Sequence, residues 1–164
     1  MPIVLHRIDE RLIHGQVVVG WGGQLHPDRI VVVDDELARS PWEQELYCLG
    51  LPPEVAAEFL AVADARSRLA TWRTGEERVI VLTRDAGTMA HLGAGGLLRG
   101  MDVNIGGIHH APGRRQALPY VFLSDTERQA LRELAAEGAE VSARDLPGAR
   151  RVTLDELLSD GTPR

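Results

Sequence analysis

Short runs of β-branched and other apolar residues recur along the chain, and each is apolar over almost its whole length. Such runs are typical of strands buried on both faces, because a half-exposed strand alternates apolar and polar positions instead. Two-sided burial favours a parallel sheet covered by helices. We predict five such strands, at 2–8, 29–35, 78–85, 101–107 and 139–145.

Helix signals lie between these runs. The stretch "SPWE" from Ser40 offers an N-cap, a proline at the first helical position and a glutamate at the third. The stretch "SDTE" from Ser124 repeats the capping-box pattern before "RQALRELAAEG", and Gly138 supplies the stop. After Gly15, "QVVVGWGGQL" predicts a helix that its three glycines weaken.

Two segments are ambiguous. The run "PPEVAAEFLAVADARSRLATW" fits one long helix, or a strand followed by a helix, and periodicity leaves both open. We favour a strand at 55–62 followed by a helix that Asp64 caps. The segment "HHAPGRRQALPYVFLS" predicts a loop that leads into a further strand.

Buried strands that alternate with helices predict an α/β fold with an open, predominantly parallel sheet, flanked by helices in a Rossmann-like arrangement. The sequence does not decide whether a strand at one edge of this sheet is antiparallel. The length of 164 residues suits one domain, which we place at 1–158, with a frayed tail at 159–164.

Composition narrows the function classes. The formal net charge of −6 argues against nucleic-acid binding, which depends on clustered positive charge. All 18 basic residues are arginine, so Schiff-base and lysine-base chemistry are excluded. The first residues, "MPIVLHRIDE", lack an apolar signal region, and we expect a cytoplasmic protein. The single cysteine, Cys48, predicts a small buried or half-buried thiol with no role.

The densest chemistry lies in "RIDERLIHGQV", where the first predicted strand ends. Ligands bind at the carboxyl ends of parallel strands, because loops and helix N-termini gather there. His14 would stand beside a helix N-terminus, which favours an anion. A neutral imidazole can attack a phosphoryl group, Arg11 and Arg7 can balance the phosphate charge, and Asp9 can hold an arginine or orient the ring.

The alternative is a surface loop of ion pairs around a histidine that has no function. The residues alone favour neither this alternative nor a phosphate site at His14. No cofactor and no metal are expected, because nucleotide-binding glycine motifs are missing and His109 and His110 are adjacent, which rarely suits one metal ion. His6 is expected to be packed within its strand. Gly106 and Gly107 predict a turn or a close approach of backbone to a ligand.

This chain resembles the IIB subunit of the mannose/fructose/sorbose family of the bacterial sugar phosphotransferase system. The blocks "RIVVVDDELA", "MDVNIGGIHHAPGRRQ" and "ARRVTLDELL" occur in the family's order over essentially the whole length. The most diagnostic part is the run formed by Arg7, Asp9, Arg11, Leu12, Ile13, His14, Gly15 and Gln16.

The resemblance implies a phosphocarrier. His14 would accept a phosphoryl group from phosphohistidine of a IIA protein, through Nδ1, and pass it to a sugar bound by the membrane IIC and IID subunits. Arg11 would be the main phosphate partner, with Arg7 and Asp9 as organisers. The phosphate or partner surface would include Gly15, Arg84, Asn104, Gly106 and Gly107.

The protein is expected in the cytoplasm, peripherally associated with those membrane subunits. Whether it forms a homodimer is left undecided by the sequence. Glu10 stands where the family usually has aspartate, at a position expected to be exposed. Because donor and acceptor must both reach the phosphorus, His14 is expected to be exposed as well. Two other functions stay open: a regulatory phosphocarrier that serves no transporter, and a module that binds phosphate or sugar phosphate without a covalent bond.

Overall fold

The computed structural model describes residues 2–159, which form a seven-stranded sheet and a separate hairpin of two strands, β6 (Arg115–Leu118) and β7 (Val121–Leu123). The sheet strands are β1 (Ile3–Ile8), β2 (Arg29–Val33), β3 (Ala56–Leu60), β4 (Val79–Thr83), β5 (Asp102–Ile105), β8 (Glu140–Ala143) and β9 (Val152–Thr153). Their order is β3-β2-β4-β1-β5-β8-β9, and every pair is parallel except β8 with β9. The predicted open, predominantly parallel sheet is confirmed, and the antiparallel edge strand, which the sequence left undecided, is β9.

Helices cover the sheet between the strands. They are α1 (Gly22–Leu25), α2 (Pro41–Cys48), α3 (Val62–Thr74), α4 (Ala86–Gly93), α5 (Asp125–Ala136) and α6 (Leu154–Leu158). A π-helix, Gln16–Trp21, precedes α1, and short 3₁₀ turns lie at Leu37–Arg39 and Ala94–Gly96. None of the helices in residues 2–159 is long and apolar enough to cross a membrane. The tail expected at 159–164 lies outside the described residues, apart from Ser159.

The sheet has two different faces. Helices α3, α4, α5 and α6 pack on one face through a large apolar cluster that includes Leu69, Met89 and Leu131. A smaller cluster on the other face joins Leu12 and Val17 to β2 and β4. The segment that follows β1 is therefore held down by apolar side chains on one side of the sheet, while its polar side chains remain at the strand ends.

The ambiguous segment is a strand followed by a helix, as predicted, but the predicted cap is wrong. Helix α3 begins after Ala61, and the N–H of Val62 donates to the Asp35 carboxylate at 2.8 Å. Asp64 lies inside the first turn. An aspartate from another loop thus does the work that a local cap was expected to do.

Three other expectations change. The glycine-rich stretch is a π-helix in its first part, and a Cβ at Gly20 would lie 2.7 Å from Leu146 Cδ2, so glycine permits close packing there. The segment after His110 forms a hairpin of two strands, β6 (Arg115–Leu118) and β7 (Val121–Leu123), rather than one. Cys48 is exposed, because α2 turns that side of the helix toward solvent.

Candidate phosphoryl-transfer site

The loop after β1 closes on itself and on two neighbouring strand ends. The N–H of Asp9 donates to Thr83 O, at the end of β4, at 2.9 Å, and the N–H of Glu10 donates to Gly107 O, after β5, at 2.9 Å. Leu12 adopts a positive φ of 55°, and its N–H donates to Asp9 O. The loop is therefore a tight turn anchored at the carboxyl edge of the sheet, where a ligand site was predicted.

Asp9 is the centre of this loop, and its carboxylate is completely buried. Oδ2 accepts from Arg7 Nη2 at 3.1 Å, from Arg11 Nη2 at 3.0 Å and from the N–H of Gly107 at 3.0 Å. Oδ1 accepts from Arg11 N and Nε. Burial would raise the pKa of Asp9, but the hydrogen bonds from Arg11 and Gly107 and the charge of Arg7 hold it below its usual value.

Arg7 is buried as completely as Asp9. Its guanidinium donates to Asn104 Oδ1 and, at 3.1 Å each, to the backbone carbonyls of Arg144 and Asp145. It also lies 5.3 Å from the centroid of the Trp21 ring. Burial lowers the pKa of Arg7, while the Asp9 carboxylate opposes that shift. Arg7 thus ties the His14 loop to β5 and to the end of β8.

Two glycines make room for these arginines. A Cβ at Gly106 would lie 2.3 Å from Arg7 Nη2 and 2.5 Å from Asp9 Oδ2. A Cβ at Gly107 would lie 3.0 Å from Arg11 Nη2. The backbone at the "GG" pair thus closely approaches the chain's own charged side chains, whereas its approach to a ligand stays a prediction.

His14 lies next to this cluster, but it is less exposed than predicted. Its side chain is 16% exposed, and Nε2 lies 3.7 Å from Asp9 Oδ2 without a hydrogen bond. Nδ1 lies 2.8 Å from Leu12 O. Because a carbonyl oxygen only accepts, Nδ1 carries the proton, and in the neutral ring the lone pair belongs to the buried Nε2. The loop turns the ring inward, which the sequence pattern did not indicate.

Arg11 presents the accessible positive charge of the cluster. Its side chain is 34% exposed, and Nη2 bonds both Asp9 and Gln16 Oε1, the latter at 2.8 Å. The guanidinium is therefore fixed in direction, and these bonds use Nε and Nη2 but leave out the two hydrogens of Nη1.

Glu10 faces away from Asp9 and bonds the loop that follows Gly107. Its carboxylate pairs with Arg114, accepts the N–H of His109 at 3.1 Å and lies 3.2 Å from His109 Nδ1. Arg114 in turn forms two hydrogen bonds with Glu127, at the start of α5. The expectation of an exposed Glu10 is wrong, because Arg114 reaches it from more than 100 residues along the chain.

Two predicted site residues contribute no side chain to the cluster. Gly15 follows His14 directly and is the N-cap of the π-helix. Arg84 follows β4, and its Nε donates to Asp34 Oδ2 at 3.2 Å. The structure brings together Arg7, Asp9, Arg11, His14, Asn104, Gly106 and Gly107, whereas Arg84 belongs to the neighbouring end of β2.

Trp21 and the carbonyls at 144–145 are parts of the site that the sequence pattern missed. The Trp21 indole donates to Asp145 O at 3.1 Å, and the guanidinium carbons of Arg7 and Arg144 both lie 5.3 Å from its centroid. The available signal was the charged stretch "SARD" at the end of a buried strand, which mirrors "HRID" at the end of β1. Among residues 2–159 no group of three or more His, Cys, Asp or Glu could hold a metal ion.

Comparison with known proteins decides the family. Residues 3–162 match the family model described as PTS system sorbose subfamily IIB component. The chain belongs to this family. A curated IIB relative, the N-acetylgalactosamine-specific phosphotransferase enzyme IIB component 2 of Escherichia coli strain K12, is 32% identical over 96% of this chain and 100% of its own length.

Other relatives agree. The mannose-specific EIIAB component of the same strain is 31% identical over 97% of this chain, which spans about half (49%) of that longer relative. The IIBSor domain of the sorbose permease from Klebsiella pneumoniae has the same fold, with a TM-score of 0.87 and 27% identity, over 99% of this chain and 100% of that one. This IIB chain is therefore similar to components named for several different sugars.

Proposed function

We propose that this IIB chain is a phosphocarrier of a sugar transporter, in which His14 receives a phosphoryl group from a IIA phosphohistidine and passes it to a sugar held by membrane IIC and IID subunits. The observation that carries the proposal is the placement of His14 beside the Asp9–Arg11 pair, at the carboxyl edge of the sheet. Membership of the IIB family supports it.

Phosphoryl transfer between two histidines needs little covalent assistance from the protein. A lone pair of His14 attacks phosphorus, one nitrogen–phosphorus bond forms as the one to the donor imidazole breaks, and the donor ring recovers its lone pair. Since bonds of one kind are exchanged, positioning and charge stabilisation are the protein's main tasks. Arg11 is oriented for the phosphoryl oxygens, and Asp9 keeps Arg11 and Arg7 in place.

The ring position gives this step a conformational requirement. With Nδ1 bonded to Leu12 O and Nε2 buried against Asp9, neither nitrogen is accessible in this conformation. Transfer through Nδ1, which the resemblance implies, requires the ring to turn outward and the proton to move to Nε2. The inward ring is then the resting, unphosphorylated arrangement.

Phosphorylation from phosphoenolpyruvate, through Enzyme I, the small histidine carrier protein and a family IIA, tests the proposal. Wild type is expected to gain one acid-labile phosphate and His14→Ala none, while His109→Ala, a control for an exposed histidine in the adjoining loop, is labelled as wild type is. If wild type stays unlabelled by a IIA that is itself phosphorylated, the phosphocarrier function is wrong and non-covalent phosphate binding takes its place.

The phosphorylated nitrogen is read from nitrogen-15 NMR spectra of the histidine rings. In the unphosphorylated protein we expect the His14 proton on Nδ1, and in the phosphorylated protein we expect phosphorus on Nδ1 and the proton on Nε2. A phosphoryl group on Nε2 would show that the ring keeps its bond to Leu12 O and that the loop opens around it instead.

A further inference from the structure

Helix α2 and its C-cap, Leu49, carry a row of large apolar side chains that face solvent. Trp42 is 66% exposed, Leu46 57% and Leu49 82%. Their spacing of four and three residues places them on one side of the helix, and we call these three residues the α2 stripe. No residue of α2 is buried.

The stripe is not needed to hold α2 on the sheet. The opposite side of the helix does that, because Gln44 Nε2 donates to Leu37 O at 2.8 Å and the Tyr47 ring packs 6.3 Å from the Phe59 ring. Polar side chains on the solvent side would cost the fold nothing, whereas exposed apolar rows favour association. The stripe therefore points to a partner.

The surroundings of the stripe define the chemistry of that partner. Residues 34–54 contain six carboxylates and one basic residue, Arg39. Arg84 pairs with one of these carboxylates, Asp34, and the other five still leave the segment strongly negative. A nucleic acid or an anionic lipid surface would be repelled. A second copy is also disfavoured, since a two-fold contact through the stripe would bring the same carboxylates together. The complementary surface is apolar with a rim of Lys and Arg.

We propose that the α2 stripe and its acidic rim dock on the cytoplasmic face of the membrane subunits. Cytoplasmic loops of membrane proteins carry an excess of Lys and Arg, which is the charge that this surface lacks. The inference rests on the proposed function for the identity of the partner. It assigns to α2 a contact that phosphorylation of His14 by IIA does not require.

The position of α2 suits this contact. The helix follows β2, and its leading loop is fixed where β2 and β4 end, by the Asp34–Arg84 pair and by the bond from Leu37 N to Asp34 Oδ1. The His14 loop lies at the same edge of the sheet, anchored to Thr83 at the end of β4. A partner seated on the first turn of α2 therefore faces the edge that carries the phosphoryl group.

The test compares wild type with the triple variant Trp42→Ser, Leu46→Ser, Leu49→Ser. Binding is measured to inverted vesicles from cells that express IIC and IID, and to vesicles from the same cells without these subunits. Wild type is expected to bind only the former, and the variant at least tenfold more weakly, because buried tryptophans dominate such interfaces. Labelling of the variant by IIA is expected to equal that of wild type, which shows that it is folded.

Charge is tested separately with Glu45→Lys, beside the stripe, and Glu133→Lys, an exposed position of α5 on the other side of the sheet. Only Glu45→Lys is expected to weaken vesicle binding, and wild-type binding is expected to fall as salt rises. Equal binding by wild type and the triple variant, equal binding to both kinds of vesicle, or a wild-type dimer that the triple variant abolishes would each overturn the inference. Absence of His14 labelling would instead remove the proposed function.

Discussion

The Asp9 carboxylate balances two guanidinium groups at once, and one of them, Arg7, has no contact with water. A buried charge is tolerated only when it is paired and hydrogen-bonded, so each group of this cluster depends on the others. The arrangement also fixes Arg11, which reaches the surface. The same carboxylate thus contributes to the stability of the fold and fixes the direction of the Arg11 guanidinium.

Asp9→Asn is expected to lower the free energy of unfolding by about 3 kcal/mol, since it leaves Arg7 buried without its counter-charge. Urea denaturation measures the change. Asp125→Asn, which removes a largely exposed partner of Arg115, is the matched control, with an expected change below about 0.5 kcal/mol. Equal effects of the two substitutions would contradict the central role of Asp9.

Gly106→Ala tests the close approach of backbone to the cluster. The new methyl group would overlap Arg7 and Asp9, neither of which can move without losing hydrogen bonds, so we expect a loss of about 3 kcal/mol. At Gly15 a Cβ meets nothing within 4 Å, and Gly15→Ala is expected to change stability by less than about 0.5 kcal/mol. Thermal unfolding of both variants makes the comparison.

The composition of the cluster was predictable because its charged residues are close together in sequence and follow a buried strand. Its geometry was not. The partners of Arg7 and Glu10 include Asp145 and Arg114, which are more than 100 residues distant and reach the loop only through the order of the strands. The direction of the His14 ring depends on the positive φ of Leu12. Leucine rarely adopts this conformation, and the neighbouring residues do not predict it.

Among the helices and strands, the buried strands were the most predictable. A continuous apolar run of five or six residues is shorter than most helices and is typical of a strand buried on both faces. The errors fall where a distant segment changes a local preference. Asp35 takes over the cap of α3, and close packing with Leu146 accompanies the π-helix around Gly20. Neither contact can be predicted from the residues that are adjacent to it in the sequence.

Helix α5 shows a capping box that acts as predicted: Ser124 accepts the N–H of Glu127, and Glu127 accepts the N–H of Ser124. Ser124→Ala is expected to cost about 1 kcal/mol, because it leaves a helix N–H without its partner. Ser40 also precedes a helix but makes no cap, since its hydroxyl donates to the Glu43 side chain at 2.9 Å. Ser40→Ala is therefore expected to cost clearly less, by chemical denaturation.

At the scale of the whole molecule, stability should depend on pH through His6, which is completely buried in β1. Burial, together with the nearby charge of Arg73, lowers the pKa of His6 to about 4. The unfolded chain binds a proton near pH 6.5, whereas the folded protein does not until about pH 4. Acidification between these values therefore favours the unfolded state.

The expected loss between pH 7 and pH 4.5 is about 2.5 kcal/mol from this residue alone. Urea denaturation at a series of pH values measures it, and His6→Leu is expected to flatten the slope in this range. His91→Gln, which removes an exposed histidine, controls for the loss of a histidine as such. A slope that His6→Leu leaves unchanged would assign the acid sensitivity to other groups.

The central place of β1 in the sheet has a consequence for biosynthesis. Both of its neighbours are made much later, because Ile3 pairs with Val79 and His6 with Val103. The hydrogen bond from the N–H of Gly107 to the Asp9 carboxylate forms later still, because Gly107 is made after both Val79 and Val103. Contacts so distant along the chain form slowly, and on a ribosome they cannot form at all until the later strands have emerged. A nascent chain that ends before Gly107 therefore contains His14 and its charged neighbours, but it lacks the backbone N–H that helps to hold the Asp9 carboxylate in place.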